Sequence, residues 1–166
     1  MEGRGAILDT AREISRLIRN ASVSAAVIGG IAVVLHGHWR ATKEIDFLLG
    51  SDPAELAELL QANGFLHDPL RSEFVRNEIP VHLVLPDQAK ATLGKTVEIE
   101  GILTVELHQL IEMKLRSGTT NLLRSQDLAD VIGLIRAQRL TGEFARALDK
   151  TMRPTFRKLV RAIAQE

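Results

Sequence analysis

The sequence predicts an α/β (α+β) fold: a mixed sheet flanked by helices, followed by a helical C-terminal part. Three observations carry this reading. In the first hundred residues, strand-length runs such as Ala25-Ala-Val-Ile28 and Glu44 to Leu49 alternate with segments of helical period. Glu73-Phe-Val-Arg76 and Ile79 to Leu85 flank the turn-forming pair Asn77-Glu78, as in a hairpin. From Val105 onward the apolar residues recur at three- and four-residue spacing.

The elements follow in order. Ile7, Leu8, Ala11, Ile14, Leu17 and Ile18 mark one face of an opening helix, with Arg and Glu on the other. The strand at 25–28 is stopped by Gly29-Gly30, and Ile31 to Leu35 reads as a short buried helix ending at Gly37. The strand at 44–49 ends in Gly50-Ser51-Asp52-Pro53, a cluster that also starts a helix, with a capping side chain before a first-turn proline. That helix runs from Pro53 to Ala62 and stops at Asn63-Gly64. Pro86-Asp87 breaks the second hairpin strand, and Thr96 to Glu100 alternates like a short edge strand. Helices are predicted from Val105 to Arg116, Leu122 to Arg136, Glu143 to Asp149 and Pro154 to Ala164. The chain divides accordingly into an α/β core at 1–104 and a helical part at 105–166, expected to pack together as one domain.

Composition sets outer bounds. With 166 residues, 45% of them hydrophobic, the chain can bury a real core. No apolar run approaches the roughly 20 residues that cross a bilayer, and the N-terminus lacks an apolar segment of signal type, so the expected location is the cytoplasm. The absence of cysteine excludes disulfides, thiolate metal sites and a cysteine nucleophile. A net charge of zero hides an asymmetry: residues 1–113 hold 10 Lys and Arg against 16 Asp and Glu, residues 114–166 hold 11 against 5. The basic last third suits phosphates or RNA, and equally an acidic partner protein or the acidic part of this chain.

Glu44 and Asp46 lie two apart on a predicted strand, so their side chains share a face while Ile45 and Phe47 turn to the core. Adjacent carboxylates repel each other unless a cation lies between them or one is protonated. At a strand end, such a pair is half of a two-metal phosphoryl-transfer site or a solvated sheet face. Gly29-Gly30, between a strand and a helix, lets backbone amides approach a phosphate. It is neither Gly-x-Gly-x-x-Gly nor a P-loop.

Taken together, Val27-Ile-Gly-Gly-Ile-Ala32, His36-Gly37 and Arg40-x-Thr42-Lys43-Glu44-Ile45-Asp46 resemble the nucleotidyltransferase superfamily with the polymerase-beta-like fold. The likeness is to the AbiEii-type toxins and related minimal nucleotidyltransferases, which read Gly-Gly, His-Gly, then Arg-x-Thr-x-Asp-x-Asp. The run Leu110-Ile-Glu-Met-Lys114-Leu-Arg116, followed by Arg124-Ser-Gln-Asp127-Leu-Ala-Asp130, is similar to that group as well. The resemblance extends from Val23 to Ile135. It implies that Gly29 and Gly30 cradle the triphosphate of an NTP substrate, with Arg40 and Thr42 near the phosphates. It implies that Glu44 and Asp46 bind Mg²⁺ or Mn²⁺, and that a nucleotidyl group passes to a hydroxyl of an unknown acceptor with release of pyrophosphate. Lys114, Asp127 and Asp130 would sit on supporting helices. Toxin–antitoxin relatives would give a protein or tRNA partner.

The pattern departs from the family twice. Glu44 stands where Asp is usual. His82, in Pro80-Val-His-Leu-Val84, stands where a third acid is usual. Imidazole is a poor Mg²⁺ ligand but suits Mn²⁺ or Zn²⁺. His82 is therefore a ligand of altered preference, a general base, or the sign of a catalytically degenerate fold that binds a nucleotide or a protein without turnover. A plain interaction protein, homodimeric through its C-terminal helices, is the remaining class. His36-Gly-His38 lacks a third metal partner in sequence and reads as loop and packing histidines. Trp39, the only tryptophan, suits a base stack or a packing anchor.

Overall fold

The computed structural model describes residues 2–121 and 125–166. It consists of two compact units: residues 1–32 with 40–105, and residues 33–39 with 106–166. The first unit thus closes at Val105, and the short segment 33–39 belongs with the helical part.

In the first unit, α1 (Glu2–Ala21) is followed by β1 (Ala25–Ile28), the start of α2 (Gly29–Leu35), β2 (Ile45–Leu49), α3 (Pro53–Ala62), β3 (Leu66–Asp68), β4 (Glu73–Arg76), β5 (Ile79–Val84), α4 (Pro86–Ala89), β6 (Thr96–Ile99) and β7 (Ile102–Val105). Among the described residues the strands form one mixed sheet in the order β3-β4-β5-β2-β1-β7-β6. β1 pairs antiparallel with β2 and parallel with β7, and β2 pairs parallel with β5. Parallel neighbours on both sides of the β1–β2 pair require crossovers, which α3 and the later elements supply. On one face of the sheet's centre, Val27, Ile45, Phe47, Val81 and Ile102 are fully buried beside Thr104, whose hydroxyl donates to the Val27 carbonyl at 2.8 Å.

Local sequence explains most boundaries. Asp52 caps α3, its Oδ1 accepting from the Ala54 amide at 2.9 Å, with Pro53 in the first turn. Asn77 and Glu78 both adopt positive φ, the conformation of a two-residue hairpin turn. β6 is an edge strand, as its alternation indicates. Three elements differ from the sequence expectation. Ile102–Val105 is a strand, so Val105 closes β7 instead of opening a helix. Residues 66–68 pair with β4 at the other edge. The segment at Pro86 is one short helix, not only a break.

α1 lies on the sheet through Ile7, Leu8, Ala11, Ile14 and Ile18. Its buried Ser15 accepts from the Leu103 amide of β7 at 3.1 Å. Glu13 on the same helix makes a two-pronged ion pair with Arg76 of β4, one arm of it 3.2 Å long. Arg76 also donates to the Asn63 carbonyl and stacks over Phe65, 4.3 Å from its ring centre. The hydrogen bond from Arg76 holds the Glu13 carboxyl below its usual range. A depressed carboxyl stabilises the fold above its unfolded pKa of about 4.3 and loses that contribution as pH falls through the folded value. Glu13→Gln should therefore cost about 1 kcal/mol at pH 7, modest because the pair is partly solvated. It should also flatten the acid limb of the stability curve below about pH 5, measured by urea unfolding against pH.

The second unit contains α5 (Leu107–Thr120), α6 (Ser125–Gln138), a 3₁₀ helix (Gly142–Ala147) and α7 (Arg153–Ala164), with the end of α2. α5 continues past Gly118, where an added Cβ would lie 2.8 Å from the Leu128 side chain of α6. The expected helix start at Leu122 lies outside the described residues, as does Arg124. The expected helix at Glu143 is a 3₁₀ turn. His36 is buried and its carbonyl accepts from Gln138 Nε2 at 2.6 Å.

The His38 ring lies against Gly133, where an added Cβ would sit 2.3 Å from ring atoms. Gly133→Ala gains up to about 1 kcal/mol of helix propensity and loses about 1–3 kcal/mol to overpacking. A net loss near 1 kcal/mol is expected in urea unfolding. The sign should reverse in a His38→Ala background, where the ring is gone. No helix among the described residues is long and apolar enough to cross a membrane.

Candidate active site

The site is assembled by strand register. β1 ends at Ile28, which pairs with Asp46 on β2. Asp46 pairs in turn with His82 on β5. The β4–β5 hairpin pairs Phe74 with Val81, so Glu73 lies one step further along, beside His82. Gly29, Asp46, His82 and Glu73 thus form a row across one end of the sheet.

Gly29 opens α2 at φ 70°, a conformation that glycine adopts without strain. A Cβ on it would lie 2.5 Å from Asp46 Oδ2. A Cβ on Gly30 would lie 2.2 Å from Arg40 Nη1 and 2.8 Å from Thr42 Oγ1. The two glycines therefore exist to let three polar side chains reach the backbone: one carboxylate at Gly29, a guanidinium and a hydroxyl at Gly30.

Glu44 precedes β2 by one residue and its side chain is half exposed, yet it converges with Asp46 on His82. His82 Nδ1 is 3.0 Å from Asp46 Oδ1 and 3.4 Å from Glu44 Oε2. Its Nε2 is 2.8 Å from Glu73 Oε2. One ligand atom each from Glu44, Asp46 and His82 lie within 4.8 Å of one another, and no other described residues form such a group of three.

Electrostatics follow from this crowding. Burial raises the Glu44 carboxyl above its usual range, and the charge of Asp46 raises it further against the opposing pull of His82. Burial alone would disfavour the His82 imidazolium. Hydrogen bonds to Glu73 and Asp46, with the charge of Glu44, outweigh it and raise the pKa. Both ring nitrogens face carboxylate oxygens, an arrangement that favours a proton on each.

Two carboxylate oxygens and one imidazole nitrogen, all within 4.8 Å of one another, are a donor set that fits a divalent cation. The nitrogen suits Mn²⁺ or Zn²⁺ better than Mg²⁺. Glu73 is absent from the sequence expectation, although the hairpin register contains the signal for it. Lys114, Asp127 and Asp130 belong to the second unit and pair with each other. Lys114 Nζ is 2.8 Å from Asp127 Oδ1 and 3.0 Å from Asp130 Oδ2, and Asp130 is fully buried. Trp39 is 65% exposed, which removes the packing-anchor role.

No protein-family model and no curated protein sequence matches the chain. Solved structures do. An antigenic nucleotidyltransferase-like protein from Paracoccidioides brasiliensis superposes with a TM-score of 0.57 at 13% identity, over 95% of this chain and 86% of its own. JHP933 from Helicobacter pylori gives 0.58 at 15% identity, over 89% and 73%. The antibiotic-resistance factor ANT(2'')-Ia gives 0.58 at 10% identity, over 98% and 95%. At these identities the likeness is one of architecture, and the chain has the nucleotidyltransferase fold.

Proposed function

We propose that the protein transfers a nucleotidyl group from an NTP to an acceptor hydroxyl, using a divalent cation held by Glu44, Asp46 and His82. The supporting observation is convergence. The glycine pair, Arg40, Thr42, both strand carboxylates and His82 meet at one end of the sheet. Gly29 and Gly30 leave their amides unobstructed by side chains of their own, and Arg40 sets a fixed positive charge beside them for the phosphates. A bound cation supplies Lewis-acid stabilisation of the α-phosphate and acidifies the attacking hydroxyl. In the reaction the acceptor oxygen bonds to the α-phosphorus as the bond to the β-phosphate breaks, pyrophosphate leaves, and the hydroxyl proton passes to solvent. His82 serves as a ligand here. Its Nδ1 already shares a proton with Asp46, which makes it a poor general base.

The acceptor is a protein side chain, an RNA end or a small molecule. The exposed Arg157, Lys158 and Arg161 of α7 favour a polyanion, hence RNA. The AbiEii-type, toxin–antitoxin reading enters through that acceptor. Incubation with each α-labelled NTP, Mn²⁺ or Mg²⁺, and mixed RNA or protein acceptors should transfer label and release pyrophosphate.

A second reading is favoured by the same histidine. An imidazolium held between Asp46, Glu44 and Glu73 is itself a cation in the cation's place. The fold would then bind a nucleotide or a protein without turnover. Calorimetric heat with an NTP but no label transfer would select this reading, and no heat with any NTP would sink both.

A further inference from the structure

We infer that Glu73 is a positioning residue that fixes His82 with Nδ1 toward Glu44 and Asp46, and so sets the ion preference of the site toward Mn²⁺ or Zn²⁺ over Mg²⁺. This rests on the cation reading proposed above. Glu73 stands on β4, and its side chain is 10% exposed, against 50% for Glu44. Burying a carboxylate costs free energy unless a partner compensates it. Its partner among the described residues is His82, whose Nε2 lies 2.8 Å away. A carboxylate accepts only, so Nε2 is the donor and carries a proton. The ring is thereby held in one orientation, with Nδ1 facing the two other carboxylates at 3.0 and 3.4 Å. A cation bound there replaces the proton that Nδ1 shares with Asp46.

A histidine whose far nitrogen donates to a carboxylate is both oriented and made a stronger donor toward a metal. The alternation of the hairpin accounts for the placement. Val75 and Arg76 neighbour Pro80 and Ile79, and the buried Phe74 lies beside Val81, which leaves Glu73 on the His82 side.

The test is metal binding by the full chain, measured by calorimetry and thermal shift with MnCl₂, ZnCl₂ and MgCl₂. The wild type should bind Mn²⁺ and Zn²⁺ more tightly than Mg²⁺. E73Q should weaken Mn²⁺ and Zn²⁺ by about 10–100-fold, the range for a residue that supports a metal ligand, and change Mg²⁺ far less. In an H82A background, E73Q should have no further effect, because the residue acts through the ring. E73D, which keeps the charge but shortens the reach, should fall between wild type and E73Q and covers the case in which E73Q folds poorly. E73Q binding Mn²⁺ and Zn²⁺ as the wild type does, or losing the same factor in H82A, overturns the positioning role while the cation reading stands. A wild type that takes up none of the three ions overturns both.

Discussion

Asp46→Asn should reduce nucleotidyl transfer by about 10³-fold or more while leaving the fold intact. The magnitude is that of removing one electrostatic stabiliser from a preorganised transition state, and here the group lost is also a metal ligand. Asn is nearly isosteric with Asp, which matters because Gly29 leaves room for this side chain and no more: a Cβ there would lie 2.5 Å from Oδ2. Asp46 is only partly buried, between the fully buried Ile45 and Phe47, so the core face of β2 is untouched. Two readouts separate lost chemistry from lost structure. The urea midpoint should move little. The carboxyl of Glu44, raised first by burial and then by the charge of Asp46, should titrate lower in the variant, where the second of these causes is gone. A variant with undiminished label transfer would place the chemistry elsewhere. Calorimetry with Mn²⁺ reports the same loss without depending on the acceptor.

The row that positions Asp46 was partly legible in the sequence. The strand–Gly-Gly–helix order and the i, i+2 carboxylates are local patterns, and local patterns survive folding. Glu73 was missed, although the two-residue turn Asn77-Glu78 pairs Arg76 with Ile79 and so carries Glu73 to His82 by simple counting. Reading the hairpin as a register, not only as two strands, would have found it. β7 was missed for a different reason. Ile102-Leu-Thr-Val105 sits between β1 and β6, and a four-residue apolar run buried inside a sheet has no period that separates strand from helix. Residues 66–68 are a strand by pairing alone: Leu66 is 75% exposed and nothing in Leu-His-Asp alternates inward. His38 shows the reverse case, where a packing role follows from sequence caution but its partner Gly133 follows only from helix packing.

The largest stability effect is expected in the second unit. Lys114 on α5 reaches both Asp127 and Asp130 on α6, and Gln126 donates to the remaining oxygen of Asp130 at 3.0 Å. The sequence resemblance puts Asp127 and Asp130 three apart on a supporting helix and says nothing of their burial. The structure buries Asp130 completely, which changes the energetics. An exposed pair would be worth 0–1 kcal/mol. Removing the cation from a buried one leaves a charge without compensation, at about 3–5 kcal/mol. Lys114→Met keeps the length and apolar stem of the side chain and deletes only the ammonium. It should lower the melting temperature by roughly 6–20 °C. The double variant Lys114→Met/Asp130→Leu should recover part of this, since it removes the fully buried carboxylate but leaves the slightly exposed Asp127 without its cation. A loss under 1 kcal/mol in the single variant would mean that water reaches Asp130 after all. If the double variant regains that part of its melting temperature but not its label transfer, Lys114 and Asp130 serve the reaction as well as the fold. If it regains both, the triad is a fastening that packs α5 on α6.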